Sequence, residues 1–429
     1  MPDKKLFLLT TALITIGVIC SYTLTAYTVV LFEYNSFHFV MRELIVAVIS
    51  ILIMWMLAQL DPDVWLHRLG LTLFFGGVVL MLVMPFLPAS LVSEVGGAKR
   101  WIRLFGFSLA PVEFFKVGFV YFLAWSFSRK LGHHANMGVM EEFKRVAPYA
   151  AIFVLVMFLI AFLQNDLGQV IVLALTLAFM LFFAGSSFRF FMTLILGALA
   201  SFIFLIVTSE HRINRILSWW ASAQNTILAF FPESIARHLR IDNAEEAYQI
   251  GHSLNAIHNG GLFGTGLGGG TFKLGFLSEV HTDFVLAGIA EEFGFFGVFV
   301  VTMIFILLLQ RLFKIANRSH NDAAYLFSLG VGLLITFAFI INAYGISGLT
   351  PIKGISVPFL SYGGSAMLAS SVGIGMVLMI SKKIHHKIDP KKHTPMQGHY
   401  TAQGAMHHHE SAETTRSHHS QMPLEESER

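Results

Sequence analysis

The sequence predicts an all-α polytopic membrane protein with about ten transmembrane helices and one large extracytoplasmic loop. Three observations carry that expectation. Of 429 residues, 55% are hydrophobic and 13% charged, with 42 Phe. The apolar residues recur in stretches of about 20, the length a helix needs to cross a hydrocarbon core roughly 30 Å thick. One stretch, 209–282, is long and polar enough to form a sizeable body outside the bilayer. The net charge of +3 gives no reason to expect a nucleic-acid partner. The single cysteine, Cys20, lies within the first apolar run, which rules out a disulfide within one chain.

Spans are expected at roughly 6–31, 39–59, 68–88, 111–129, 147–164, 167–186, 188–208, 283–310, 323–346 and 356–381. Lys4 and Lys5 precede a first run too long for a signal-peptide core, so it reads as an uncleaved helix. Counting Lys and Arg near span ends places both termini in the cytoplasm. Lys4, Lys5, Arg68, Arg129, Lys130, Lys144, Arg145, Arg189, Arg311, Lys314, Arg318, Lys382 and Lys383 then lie inside. Lys99, Arg100 and Arg103 break the rule and call for an anionic partner outside. Residues 1–381 read as the membrane domain. Residues 382–429 read as a disordered, His-rich cytoplasmic tail containing His407, His408 and His409.

In the second span, Arg42 and Glu43 fit side chains that snorkel to the interface. The stretch GGAKRWIRLFGFSLAPVEFFKVGF, residues 96–119, turns at Gly96 and Gly97 and gathers Lys99, Arg100 and Arg103 around Trp101. A helix then starts at Pro111, where a missing N–H costs little. Glu113 and Lys116 are three apart on one helical face and can pair; an unpaired charge there would be costly. Asp166 and Gly168 sit in a short turn between spans, so Asp166 is either a turn residue or a second acidic group. Residues 212–231 place Ile213, Ile216, Leu217 and Trp220 on one stripe, as an interfacial amphipathic helix would.

The most informative stretch runs from Tyr248 to Gly297. Gly260, Gly261, Gly264, Gly266, Gly268, Gly269 and Gly270 lie within eleven residues, which lets the backbone turn tightly and approach a ligand closely. Part of the run matches G-x-G-x-x-G, but no βαβ unit surrounds it, so it is not a nucleotide site. His281, Thr282 and Asp283 follow at the mouth of a membrane helix. They are either a helix cap or a functional cluster. Glu291 and Glu292 further along that helix suit hydrogen bonding to its neighbours. Gly288, Gly294 and Gly297 suit close packing. Residues 342–367 interrupt a helix with Pro351, Lys353, Gly354, Pro358, Ser361, Tyr362, Gly363 and Gly364. Irregular backbone at that depth needs cover from protein or water.

GGLFGTGLG, HTDF and EEFGFFG together closely resemble the SEDS proteins, the family of FtsW, RodA and SpoVE. GGAKRWI with APVEFFK is similar to the family's GARRWI and QPSExxK pattern, with APVE in place of QPSE. QNDLG is similar to its EPDxG turn, and GLTPIKG with PFLSYGGS to a further motif. AYQIGHSL and Lys273 are more similar to the division member than to the elongation member. Ser278 stands where the family commonly has Pro. The resemblance implies a glycosyltransferase that polymerises lipid II into peptidoglycan strands, with Asp283 as the essential aspartate. It also implies an inner-membrane, septal location and a class B penicillin-binding protein transpeptidase as partner, beside other division proteins.

Such a reaction needs a base for the acceptor sugar's 4-hydroxyl, and the residue best suited is Asp283. Direct displacement would invert the anomeric centre. Pyrophosphate leaves with negative charge, which calls for cations. Lys99, Arg100, Arg103, Lys116, Lys273 and Lys353 are the candidates, with a divalent ion such as Mg²⁺ as a further one. Glu113, Asp166, His281, Thr282, Ser361 and Tyr362 complete the expected substrate-binding set. A lipid II flippase and a division scaffold are the competing readings. A flippase should show internal repeats and a midplane site, whereas here the polar motifs crowd one face.

Overall fold

A computed structural model describes residues 2–388 except 89, 96–97, 105–106, 131–137, 209 and 242–247. The Gly96–Gly97 turn and the tail from 389, with its three adjacent histidines, lie outside the described residues. The chain opens with α1 (Lys4–Leu24), α2 (Ala26–Leu31), α3 (His38–Gln59) and α4 (Pro62–Val83). Three short strands follow, β1 (Val92–Val95), β2 (Ala98–Leu104) and β3 (Phe107–Leu109). Then come α5 (Pro111–Lys130), α6 (Val139–Phe158), α7 (Leu167–Phe183) and α8 (Phe188–Val207). Next come α9 (Glu210–Leu228), α10 (Glu233–Leu239) and α11 (Tyr248–Gly260). The chain returns through α12 (Val285–Arg318), α13 (Asp322–Ile346) and α14 (Gly364–Ile388).

Helices occupy all ten predicted positions, but among the described residues only seven are long and apolar enough to cross a membrane unaided. The other three fall short for separate reasons. α5 carries Glu113, Lys116 and Arg129, while α7 and α8 offer only short apolar helices, Leu167–Phe183 and Phe188–Phe204. α13 and α14 form the centre: 67% of each one's apolar window is buried, against 28% for α3, α4 and α12. The exposed faces of those outer helices carry Leu44, Val48, Leu52, Phe75, Val79, Phe299 and Ile306, as lipid contact requires. α4 and α5 approach closely because Gly70, Gly77 and Gly118 present no side chain at the crossing.

The all-α expectation needs one amendment. β1, β2 and β3 form a three-stranded antiparallel sheet in that order. Alternation along β2 turns Ile102 onto Val92 and Met84, a small separate core. α14 starts eight residues later than the expected span, because 347–363 stays irregular through Gly348, Gly354 and Phe359, all with positive φ. α6 begins before its expected span and runs through Pro148.

The glycine-rich run has a structural task. α12 breaks at Gly294, where φ is 66° and ψ −163°, and the run packs into the break. Thr265 and Gly266 donate their amides to the carbonyls of Glu291 and Glu292, at 3.0 and 2.9 Å. Phe295 and Phe296 donate to Gly261 and Leu262. A Cβ on Gly264 would sit 2.2 Å from the Glu292 carbonyl oxygen. The close approach read from the sequence is therefore made to α12's own backbone. Gly294 is likewise the break itself rather than a helix-packing position.

Candidate active site

The starts of α3, α5, α7, α12 and α14 converge on a cavity of about 540 Å³. Its floor is built from two irregular segments stitched together, 279–284 and 354–363. Ser361 Oγ donates to the Thr282 carbonyl (2.6 Å) and accepts from the Val357 amide. The Tyr362 amide donates to the His281 carbonyl at 2.8 Å. Asn342 Nδ2 bridges the carbonyls of Asp283 and Ile355 at 2.6 and 2.7 Å. Three of these bonds, to the carbonyls of His281, Thr282 and Asp283, hold the backbone at the catalytic candidate. Glu279, which lines the cavity, has positive φ, a costly conformation for that residue found where surroundings over-determine it.

The Asp283 carboxylate lies against Gly354, where a Cβ would come within 3.1 Å of Oδ2. The capping alternative does not hold. The N-cap of α12 is Phe284, no side chain caps that end, and Thr282 Oγ1 instead donates to Glu279 Oε2 at 2.8 Å. Burial pushes Asp283 up to about 7, helped by the negative charges of Glu279 and Asp166 and opposed by Arg100. His281 is held below its ordinary value by burial, against the pull of Glu279.

Arg100 reaches the cavity from β2, with Nε bonded to the Gln164 carbonyl (2.7 Å) and a terminal nitrogen to the Asn165 carbonyl (2.9 Å). Those two carbonyls, not an acidic residue, accept its hydrogen bonds. Asp166 both caps α7, accepting from the Gln169 amide, and lines the cavity. Burial raises its pKa first, and the Arg100 charge tempers the rise. Glu113 and Lys116 do pair, at 2.7 Å. Gln169 bonds to both, at 3.0 and 2.8 Å, tying α5 to α7 beneath the cavity.

Asp283, His281, Thr282, Asp166, Arg100, Glu113 and Tyr362 line the cavity together. The other expected substrate contacts lie elsewhere. Lys273 is 3% exposed and forms a 2.5 Å pair with Glu292, so it neutralises a buried carboxylate. Lys99 bonds to the Pro85 carbonyl (3.0 Å), and Arg103 is exposed on β2 and does not line the cavity. Lys353 sits over the Phe202 ring, 5.2 Å from its centroid. Ser361 is buried scaffold, and Lys116 lies below the cavity in its pair.

Sequence reasoning passed over Gln169 and Asn342, polar residues in apolar spans whose cost in lipid was the available signal. It also read Glu43 as snorkelling. Glu43 is 2% exposed and lines the cavity, and its Oε1 has no hydrogen-bond partner among the described residues.

The FtsW/RodA/SpoVE cell cycle protein family matches residues 4–386. The chain belongs to this family. A Helicobacter pylori protein named probable peptidoglycan glycosyltransferase FtsW is 50% identical over 381 residues, covering 89% of this chain and 98% of the relative. The Haemophilus influenzae protein of that name is 33% identical, covering 88% and 90%. Among solved structures, the rod shape determining protein RodA of Thermus thermophilus matches with a TM-score of 0.59 at 22% identity, covering 90% of this chain and 98% of that one. A chain of a peptidoglycan synthase complex matches with a TM-score of 0.66 at 21% identity, covering 90% and 99%. These two likenesses show that the SEDS chain shares their fold.

Proposed function

We propose that this SEDS protein is a peptidoglycan glycosyltransferase of the FtsW type that polymerises lipid II, with Asp283 as general base. The observation that carries the reading is the Asp283 carboxylate: it lines the cavity against Gly354, is not spent on capping, and is pushed up to about 7 by desolvation. A base is most effective with a pKa near working pH. In the reaction, the acceptor's 4-hydroxyl oxygen bonds to the donor's anomeric carbon. The bond from that carbon to the pyrophosphate breaks, and the hydroxyl proton passes to Asp283. Arg100 is the cation best placed for the leaving group's charge, since it lines the cavity and two backbone carbonyls hold its guanidinium. The amphipathic lining, from Phe39, Val46 and Trp101 to Asp166 and Glu279, suits a sugar joined to a lipid.

A divalent ion would supply further charge to pyrophosphate. Among the described residues no group of three or more His, Cys, Asp or Glu is arranged to hold a metal. Mg²⁺ is often held by one or two carboxylates plus substrate phosphates, and Asp166 is the cavity carboxylate suited to that share. The relatives' names and the synthase complex also support a class B penicillin-binding protein partner at the division septum of the inner membrane. The test is a purified-protein assay with labelled lipid II, with and without the transpeptidase. Asp283→Asn should lower the polymerisation rate by about 10²–10⁴. Polymerisation at the wild-type rate would refute the assignment.

A further inference from the structure

A second cavity, of about 580 Å³, lies at the opposite ends of two helices that build the first. α5 contributes Glu113 to the first cavity and Arg129 to the second, 16 positions on and so ~24 Å away. α14 contributes Ser365 to the first and Lys383 to the second, ~27 Å away. The two sites therefore face opposite sides of the membrane. Nothing in the polymerisation chemistry uses the second one.

We propose that this second cavity binds the phosphate headgroup of an anionic phospholipid, drawn from the leaflet opposite the Asp283 cavity. Arg129 is the anchor. Its guanidinium lies 4.5 Å from the Trp125 ring centre, a cation–π contact that fixes the planar group while leaving its N–H edge for an anion. Trp125 in turn packs on His67, whose Nδ1 lies 3.0 Å from the Tyr121 hydroxyl. These side chains are thus pre-positioned by one another. The acidic lining residue Asp63 is already paired with Lys383, at 2.5 Å. Arg129 has no ion-pair partner among the described residues, so the cavity keeps a net positive charge.

The rest of the lining distinguishes a lipid from a free anion. Leu66, Ile380 and Ile384 give an apolar side that phosphate alone would leave uncovered. The volume also exceeds what a small anion fills and falls in the usual range for larger ligands. Lys314 and Arg318, in the last turns of α12, and Lys382 lie toward this same end, beside Arg311, which is paired with Asp3. Basic pockets between membrane helices on the positively charged side are suited to anionic lipid headgroups.

The full chain would be reconstituted in nanodiscs of phosphatidylcholine alone or with phosphatidylglycerol, released, and weighed intact by native mass spectrometry. Wild type should retain phosphatidylglycerol in preference to phosphatidylcholine. Arg129→Gln and Lys383→Gln should each weaken that retention about fivefold, as loss of one cation near an anionic surface implies. Arg237→Gln, removing an exposed cation on α10, should leave it unchanged. Should Arg129→Gln fail to fold, Lys383→Gln carries the same test, since that side chain is 50% exposed. Equal retention of the two lipids, or wild-type retention by folded variants, overturns the proposal. Displacement by millimolar inorganic phosphate would mean a small-anion site and overturns the lipid assignment.

Discussion

Asp283 is one carboxylate under four influences, and each can be varied separately. Burial raises its pKa most, Glu279 and Asp166 add to the rise, and Arg100 opposes it. If the ionised form is the base, the rate should climb with pH through about 7. Glu279→Gln removes a repelling charge and should move that rise to lower pH, and Arg100→Gln should move it to higher pH, each read from the pH profile of kcat/KM. A profile indifferent to both would detach the rate from Asp283. The same shift bears on stability. The folded-state pKa lies above the ordinary aspartate value, so stability present below about pH 4 is lost as pH rises through about 7. Asp283→Asn, which cannot ionise, should therefore be more stable than wild type at pH 8, by about 1 kcal/mol or more, with the gap closing near pH 4. Thermal unfolding at the two pH values measures it. At this scale the sequence showed which side chain stands at the helix mouth. It did not show whether the carboxylate caps the helix, because capping is decided by two backbone angles at Phe284. The cations were less legible still. Arg100 and Lys273 look alike in sequence, yet Arg100 reaches backbone carbonyls at the cavity while Lys273 is used up by Glu292.

The glycine run and the break in α12 form one element. The loop supplies N–H groups to carbonyls that the break leaves without helical partners, which is how a membrane helix tolerates interruption. Glu291 extends the join, accepting from Asn259 Nδ2 and from the Thr271 and Phe272 amides. Lys273–Glu292 closes it with both side chains at most 2% exposed. Gly264→Ala should then cost more than about 2 kcal/mol, combining a positive φ with a backbone clash. Gly268→Ala, with positive φ but open space, should cost about 1 kcal/mol. Melting temperatures of the purified variants rank them, and the reverse order would contradict a packed wedge. Lys273→Met alone strands a buried carboxylate and should cost about 3–5 kcal/mol. Pairing it with Glu292→Leu should restore much of the stability and the activity. A double variant that folds normally but stays inactive would return Lys273 to the substrate. The density of glycines pointed to close backbone approach. Periodicity could not name the partner, because the approached surface is a break in a helix that otherwise reads as continuous.

Over the whole molecule, the polar side chains separate to the two ends of the helices. Asp283, Asp166, Glu43 and Arg100 meet at one end, and Arg129, His67 and Lys383 at the other. Apolar run lengths made the helices legible, and lysine and arginine counts gave an orientation. The loop 89–110 runs against that count, and two of its three cations, Lys99 and Arg100, bond to backbone carbonyls that a count of charges cannot see. The strands of that loop were hidden for a related reason: they are three to seven residues long and pack on each other, too short for periodicity to register. Orientation is what ties the fold to polymerisation, since α12 joins the two ends through 34 residues. It can be tested without activity. Cys20 is buried and is the only cysteine, so Cys20→Ala gives a background without thiols. Asn35→Cys, exposed in the turn before α3 and four positions from the cavity residue Phe39, should react with a membrane-impermeant maleimide on intact spheroplasts. Asn317→Cys, exposed near the far end of α12, should react only after the membrane is permeabilised. The opposite pattern would put Asp283 on the cytoplasmic side, where a base could not extend a strand growing outside the membrane, and the proposed chemistry would fall with it.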